Sequence, residues 1–167
     1  LKNNSYDQFY DEHVHVFSLI AISNLLKIHK LEIINTEILN THGGSIRFYV
    51  AKQDSKYKIS KSVKKIFNSE INKKLNKFST YKKFSLRVQN SKKQLIKLLK
   101  KLKKNNKKVI SYGATYKSAT IFNYCNIDKS LINYVIDTTK NKQWKFTPGK
   151  HLLIKPSCDM IEEKIDY

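Results

Sequence analysis

Short apolar runs alternate with a helix-type segment in the last third of the chain, and no other pattern in the sequence limits the fold as strongly. Residues 109–112 and 134–137 are apolar, β-type runs, and residues 118–125 between them predict a helix. A third short run, residues 151–154, follows the turn at residues 148–149. Strand, helix and strand at this spacing are typical of a doubly wound sheet. We therefore predict an α/β fold with a partly parallel sheet in the C-terminal half.

A helix and a strand pair are predicted before this region. Residues 18–30 carry apolar side chains at helical spacing, and Ser18 is a suitable N-cap. Residues 31–39 and 45–52 are β-type runs separated by a glycine-containing turn. This pattern predicts two strands joined through that turn.

Lys-rich helices are predicted between the strand pair and the sheet. Residues 59–75 and 78–104 have apolar positions at a period of 3.6, which predicts helices. Polar pairs at 79–80 and 90–91 predict breaks in these helices, so we expect two or three of them. The most basic stretch, residues 92–108, has leucines at helical spacing. Such a pattern suits an anionic membrane or a calmodulin-like partner. We favour a helix that buries its leucine stripe and leaves its lysines in water.

The net charge of +20 comes from 33 Lys and Arg residues against 13 Asp and Glu residues. Such a charge favours polyanionic partners. However, Arg47 and Arg87 are the only arginines, and reading of base edges relies on the bidentate arginine fork. We therefore expect no specific nucleic-acid partner. A Lys-rich, non-enzymatic module that binds nucleic acid or another anion stays the alternative.

The two cysteines, Cys125 and Cys158, are too few for a four-thiolate zinc site or a disulfide framework. We expect no metal in this chain and a reducing, cytoplasmic compartment.

The longest aliphatic run, residues 19–22, falls far short of the roughly 20 residues that span a membrane. We therefore expect no membrane partner. Met160 is the only methionine, so we also expect that the sequence begins inside a longer protein.

The first candidate for chemistry is the stretch from Tyr10 to His13, in which Glu12 precedes the histidine. A carboxylate beside an imidazole can raise its basicity and fix its tautomer, as a general base requires. His15 lies close enough in sequence for a metal site, but no third imidazole or thiolate is near. General base, metal ligand and ordinary polar residue all stay open on this pattern.

The second candidate is the turn between the predicted strand at 109–112 and the next helix. Gly113, the backbone N–H groups of a helix start and Lys117 together suit a phosphate. Asp137 ends the next strand at about the offset where dinucleotide folds place a ribose-binding acid. Thr115 and Ser118 replace two glycines of the dinucleotide motif. An oxidoreductase and a purely structural turn therefore both stay open.

The third candidate is the glycine turn at residues 42–45 with Arg47 after it. A hairpin turn explains the two glycines. A functional version would use the turn amides and the guanidinium on a diphosphate.

These stretches, in this order, resemble the sugar C-methyltransferases that use S-adenosylmethionine on nucleotide-linked keto-sugars. The resemblance covers nearly all of the chain. Its matching stretches are residues 10–13 with 17–18, residues 41–47, residues 112–117 running into 121–125, Asp137, and residues 142–149. Two residues depart from the pattern: Trp144 and Ser118 stand where the family usually has glycine.

The resemblance implies a three-part protein with a cysteine-ligated zinc domain, a central S-adenosylmethionine domain and a C-terminal Rossmann-like domain. It assigns residues 1–53 to the end of the central domain, 54–108 to a Lys-rich helical segment and 109–167 to a truncated Rossmann-like domain. The expected fold is thus a helix, a two-stranded segment and Lys-rich helices before a Rossmann-like, partly parallel sheet. Neither the cysteine quartet nor a glycine-rich cofactor loop is present. The resemblance therefore implies that zinc and S-adenosylmethionine bind outside this chain, which alone would be inactive.

The resemblance also implies roles for individual residues. Tyr10, Glu12 and His13 fall on the family's catalytic motif, with His13 as the candidate base that removes the proton beside the sugar ketone. The implied partner is a nucleoside diphosphate keto-sugar. The implied substrate-binding residues are His42, Gly43, Gly44, Ser45, Arg47, Tyr112, Gly113, Ala114, Thr115, Lys117, Asn123, Asp137, Lys142, Lys145, Thr147, Pro148 and Gly149.

Overall fold

Residues 13–41, 44–159 and 164–167 are described by the structure, a computed structural model of the chain. Contacts divide the chain into two units. One is His15–Phe84, and the other includes Ser85–Tyr167. Within the described residues, no helix is long and apolar enough to cross a membrane.

Helix α1, Leu19–Ile28, opens the first unit and confirms the predicted helix. The hydroxyl of Ser18 accepts a hydrogen bond from the amide of Ala21 at 3.1 Å, so Ser18 is the predicted N-cap. The helix buries Leu19 completely and contributes it to the core of this unit.

Strands β1, Leu31–Leu39, and β2, Ser45–Lys52, form an antiparallel pair, as predicted. Leu39 pairs with Ser45 next to the turn, and a shift in register between Ile33 and Asn35 marks a bulge. The core of this unit combines buried Leu19, Ile33 and Val63 with half-buried neighbours, which are Ile22, Leu26, Phe48 and Ile66.

Two helices follow, α2 at Lys61–Asn72 and α3 at Phe78–Lys104. The predicted breaks at residues 79–80 and 90–91 are wrong, because α3 is continuous over 27 residues. The stretch contains no Gly or Pro, and Ser, Thr and Asn each cost a helix only a few tenths of a kcal/mol, up to about 0.7. Polar pairs alone therefore do not end it.

The leucine stripe of α3 packs into the core of the second unit. Leu99 is buried there, with Leu95, Ile96 and Leu102 packed against the same cluster, which confirms the favoured interpretation of this stretch. The other buried members are Val109, Phe122, Cys125, Ile127, Ile132, Val135 and Leu152.

The second unit contains the predicted parallel sheet in a reduced form. Strands β3 at Ser111–Tyr112, β4 at Val135–Ile136 and β5 at Ile154–Lys155 are parallel and lie in the order β3-β4-β5. Helix α4, Tyr116–Cys125, connects β3 to β4. The mixed α/β class and the parallel pairing are confirmed.

Each strand of this sheet is two residues long, shorter than predicted, and β5 begins only at the last residue of its predicted range. Beside β3, neighbouring amides bond outside the sheet. The amide of Ile110, just before β3, donates to the carbonyl of Tyr167 at 2.9 Å. The amide of Val109 donates to the side-chain oxygen of Asn133 at 3.3 Å. These bonds end the regular ladder on the amino side of β3, where the amide of Asn133 still donates to the carbonyl of Val109 at 2.8 Å. The detailed likeness to a Rossmann fold stays a prediction.

Candidate functional site

The predicted catalytic motif lies at the edge of what the structure describes. Tyr10 and Glu12 lie outside the described residues, and His13 is the first described residue, with a half-buried side chain. The role of all three in catalysis stays a prediction.

The turn between β3 and α4 uses its own backbone donors. The amide of Gly113 donates to the carbonyl of Ile136 at 2.7 Å, and that of Ala114 donates to Oδ2 of Asp137 at 2.8 Å. The amide of Thr115 donates to Oγ of Ser118 at 2.9 Å. Three successive amides are thus satisfied inside the chain. These three amides are therefore not available to a phosphate at this turn.

A capping box fixes the start of α4. Oγ1 of Thr115 accepts from the amide of Ser118 at 3.1 Å, while Ser118 accepts from the amide of Thr115. Thr115 and Ser118, which replace two glycines of the dinucleotide motif, therefore stabilise the start of α4. Tyr112 and Lys117, two further predicted site residues, lie on either side of this turn, and Tyr112 is exposed.

Asp137 is a buried carboxylate at the carboxyl end of β4. Its Oδ1 accepts from the amide of Thr139 at 2.8 Å, and its Oδ2 accepts from Ala114. Burial raises the pKa of this carboxyl, but the hydrogen bonds from Thr139 and Ala114 and the charge of Lys142 outweigh burial and lower the pKa to about 2. The carboxylate is ionised at neutral pH and leaves little surface for a ribose hydroxyl.

Lys142 connects this carboxylate to the turn. Its ammonium Nζ donates to the carbonyl of Ala114 at 2.9 Å and lies 3.4 Å from Oδ2 of Asp137. The neighbouring Gln143 donates from Nε2 to the carbonyl of Asp137 at 3.0 Å. The structure thus brings three predicted site residues, Ala114, Asp137 and Lys142, into direct contact.

The segment after the 3₁₀ turn Lys140–Lys142 runs beside β5. The amide of Trp144 donates to the carbonyl of Ile154 at 2.7 Å, and the carbonyl of Lys145 accepts from the amide of Ile154 at 2.8 Å. Trp144 has a φ of 63°, in the left-handed region. Glycine adopts this conformation more readily than other residues, because it has no Cβ to clash, which suits the glycine that the resemblance implies here.

Three other predicted substrate-binding residues, Asn123, Pro148 and Gly149, lie against one another, and a fourth, Thr147, bonds to the backbone of Leu152. Nδ2 of Asn123 donates to the carbonyl of Pro148 at 3.1 Å, and a Cβ added to Gly149 would lie 2.1 Å from Oδ1 of Asn123. Oγ1 of the buried Thr147 accepts from the amide of Leu152 at 3.0 Å. Direct contact of these four residues with substrate stays a prediction.

The glycine turn of the first unit has the geometry of a hairpin. The amide of Gly44 donates to the carbonyl of Thr41 at 2.9 Å, and the hydroxyl of Ser45 donates to the same carbonyl at 3.2 Å. His42 and Gly43 lie outside the described residues.

Arg47, beyond this turn, pairs with an acid rather than standing alone. Its guanidinium donates to Oε2 of Glu37 at 3.0 Å, and the hydroxyl of Tyr49 donates to the same oxygen at 2.9 Å. The hydrogen bond with Tyr49 and the charge of Glu37 raise the pKa of Arg47 above its ordinary value. A diphosphate would have to compete with this carboxylate for the guanidinium.

Comparison with known proteins gives the family. Residues 40–167 match the family described as the C-methyltransferase C-terminal domain. The chain belongs to this family. It is also 29% identical over 154 residues to the C-methyltransferase NovU of Streptomyces niveus, across 92% of this chain and 37% of NovU. The chain therefore spans little more than a third of the length of this relative.

The part of the chain assigned to the C-methyltransferase C-terminal domain contains β2, α2, α3 and the whole parallel sheet. Asp137 and Lys142 lie inside the matched range, whereas Tyr10, Glu12 and His13 lie before it. The resemblance predicted from the sequence is confirmed at the level of the family. The comparisons do not support the alternative of a non-enzymatic Lys-rich binding module.

Glu70 is a residue of this C-methyltransferase domain that the sequence did not single out. Its buried carboxylate accepts from the amides of Leu19 and Ile20, both at 2.9 Å. It therefore caps α1 from another helix. The only available signal was one acid in the Lys-rich sequence of α2.

Among the described residues, no three His, Cys, Asp or Glu side chains form a group that could hold a metal ion.

Proposed function

We propose that this chain is the C-terminal, nucleotide-sugar-binding part of an S-adenosylmethionine-dependent C-methyltransferase that acts on a nucleotide-linked keto-sugar. The match of residues 40–167 to the C-methyltransferase C-terminal domain carries this proposal. The similarity to NovU, itself a C-methyltransferase, supports the reaction type. The keto-sugar follows from the resemblance of residues 112–117 and 142–149 to the sugar-modifying members.

The proposed substrate site is the carboxyl edge of the parallel sheet. Open α/β sheets bind ligands at the carboxyl ends of their strands, where the Gly113 turn and Asp137 lie. Lys117, Lys142 and Lys145 add positive charge to the segments that follow β3 and β4. A nucleoside diphosphate carries the opposite charge, so this edge suits its phosphates.

In the proposed reaction His13 acts as the general base. Its imidazole accepts a proton from the carbon beside the sugar ketone, and the electron pair of the broken C–H bond forms an enolate. The enolate carbon then attacks the methyl group of S-adenosylmethionine in line. A carbon–carbon bond forms while the carbon–sulfur bond breaks, and sulfur keeps that electron pair as a neutral thioether. Tyr10 and Glu12 complete the proposed catalytic set.

The methyl donor and zinc belong to other parts of the protein in this proposal. This chain has no glycine-rich cofactor loop after an acid and no cysteine quartet. S-adenosylmethionine is therefore bound mainly by sequence outside this chain, and the chain alone methylates nothing. Cys125 and Cys158 are free thiols, which suits a reducing cytoplasm.

Histidine replacement in the full-length protein tests this function. His13→Ala should lower turnover of a nucleotide keto-sugar by about 10²- to 10⁴-fold, the usual effect of removing a general base. His29→Ala is the matched control, since His29 is the exposed C-cap of α1 and belongs to no motif. Equal turnover of the two variants, at equal folded content, would remove His13 from the mechanism. A full-length protein that transfers no methyl group to any nucleotide keto-sugar would contradict the proposed function as a whole.

A further inference from the structure

The ammonium group of Lys142 is held at two points. It lies 2.9 Å from the carbonyl oxygen of Ala114 and 3.4 Å from Oδ2 of Asp137. A lysine ammonium has three N–H donors, and these contacts use two of them. The side chain remains 41% exposed. The group is therefore fixed in position and can still donate toward a ligand.

Both anchors of Lys142 are themselves fixed. Asp137 accepts from the amides of Ala114 and Thr139, and its own amide donates to the carbonyl of Lys155 at 3.2 Å. Because the carboxylate is buried and ionised, it offers the ammonium a constant partner. A flexible lysine side chain loses much rotamer freedom when it binds a ligand. Lys142 has lost part of this freedom before the ligand arrives, which favours binding.

The surroundings of Lys142 favour an anion, and three nearby backbone amides are already used within the chain. The carboxyl ends of β3 and β4 lie next to it, at the edge where open α/β sheets bind ligands. The amides of Gly113, Ala114 and Thr115 all donate within the chain. An anion beside Lys142 would thus find its ammonium available and these three N–H groups already occupied.

From these contacts we propose that Lys142 binds a phosphate oxygen of the nucleoside diphosphate sugar, and that Asp137 positions Lys142 for this contact. The ligand class rests on the proposed function. The assignment of the phosphate contact to Lys142 rests on the geometry. The resemblance already implied that Lys142 binds substrate, without naming the atoms it contacts, whereas the residue pattern placed the phosphate on the turn amides and Lys117.

Calorimetry on the full-length protein tests this assignment, with uridine diphosphate glucose and thymidine diphosphate glucose as probes. Lys142→Ala should weaken the affinity for the tighter probe by about 10- to 100-fold, the value of one charge-assisted hydrogen bond. Affinity for the matching nucleoside, which has no phosphate, should not change. Lys142→Arg should restore part of the affinity. Lys140→Ala, an exposed lysine in the same 3₁₀ turn, is the matched control and should have little effect.

Asp137→Asn tests the positioning role, because asparagine keeps an oxygen for the amide of Ala114 but loses the charge. It should weaken phosphate binding when Lys142 is present and have little further effect in the Lys142→Ala background.

Equal losses of affinity for Lys140→Ala and Lys142→Ala would overturn the assignment of the phosphate contact to Lys142. An equal loss of affinity for the nucleoside would also overturn it. Unchanged affinity in the Lys142→Ala variant would overturn it while leaving the proposed function intact. A parent protein that binds neither probe and methylates no nucleotide keto-sugar would overturn both.

Discussion

The carboxylate of Glu70 accepts a hydrogen bond from the backbone amide of Leu19 at 2.9 Å, across 51 positions of sequence. The second carboxylate oxygen accepts from the next amide, that of Ile20. A helix start has several amides without partners inside the helix, and a negative charge there is favourable. Glu70 thereby ties α2 to the start of α1, in the unit that follows the predicted catalytic motif.

Glu70→Ala should destabilise the first unit by about 1 to 3 kcal/mol, because it leaves two amides of the α1 start without their acceptor. Urea unfolding of the chain measures this change. Glu37→Ala is the control, since Glu37 makes an exposed ion pair with Arg47 of the kind worth at most about 1 kcal/mol. A loss for Glu70→Ala no larger than the loss for Glu37→Ala would contradict the capping role.

Asp137 should make the free energy of unfolding depend on pH in the acid range. Its pKa is about 2 in the folded chain, below the ordinary value of 3.8, so its contribution is complete above pH 4 and is lost as pH falls through 2. We expect a contribution of about 1 to 2 kcal/mol, less than the full difference in pKa implies, because nearby water screens the charges. The free energy of unfolding should therefore fall more steeply between pH 4 and pH 2 in the parent chain than in Asp137→Asn. Parallel curves would show that this carboxylate adds nothing to the pH dependence.

Gly149→Ala should be strongly destabilising, since it combines a φ of 78° with a Cβ placed 2.1 Å from the side chain of Asn123. Gly44→Ala is a matched control. Gly44 also has a positive φ, of 119°, but no atom lies within 4 Å of its added Cβ. We expect thermal unfolding to show a larger loss for Gly149→Ala, and Asn123→Ala to recover part of that loss. If the two glycine variants unfold at the same temperature, the close approach of Asn123 to Gly149 is not tight.

Trp144→Gly should cost less stability than Trp144→Ala. Both changes remove the same packing, which is modest because the indole is 62% exposed. Only glycine adopts the left-handed backbone conformation of this position without strain, and the strain avoided is about 1 kcal/mol. Denaturant midpoints of the two variants give the comparison, and a lower midpoint for the glycine variant would argue against a strained backbone at this position.

Local patterns were enough to predict the elements that depend on neighbours in sequence. Helix α1 with its cap at Ser18, and the pair β1 and β2, follow from periodicity and turn residues within a few positions. The continuity of α3 could not be predicted in this way. Its Asn90 and Ser91 are weak helix formers whose small cost is exceeded by burial of the leucine stripe.

The candidate site was predictable in its residues but not in their arrangement. Asp137 and Gly113 were recognisable from the strand and turn patterns, because those signals are local. The acceptor role of Asp137 toward Ala114 joins residues 23 positions apart, and no pattern within either segment reveals that contact. The same holds for Glu70, whose partner on α1 is still more distant in sequence.

Trp144 is the only tryptophan of this chain, and it lies two positions after Lys142. Indole emission shifts in wavelength and intensity when the ring moves between water and an apolar or charged neighbourhood. Selective excitation of tryptophan in this chain would therefore report from one place, the segment beside the carboxyl edge of the sheet. Trp144 thus gives this chain an intrinsic optical probe at a position where occupancy of the proposed site would change the emission.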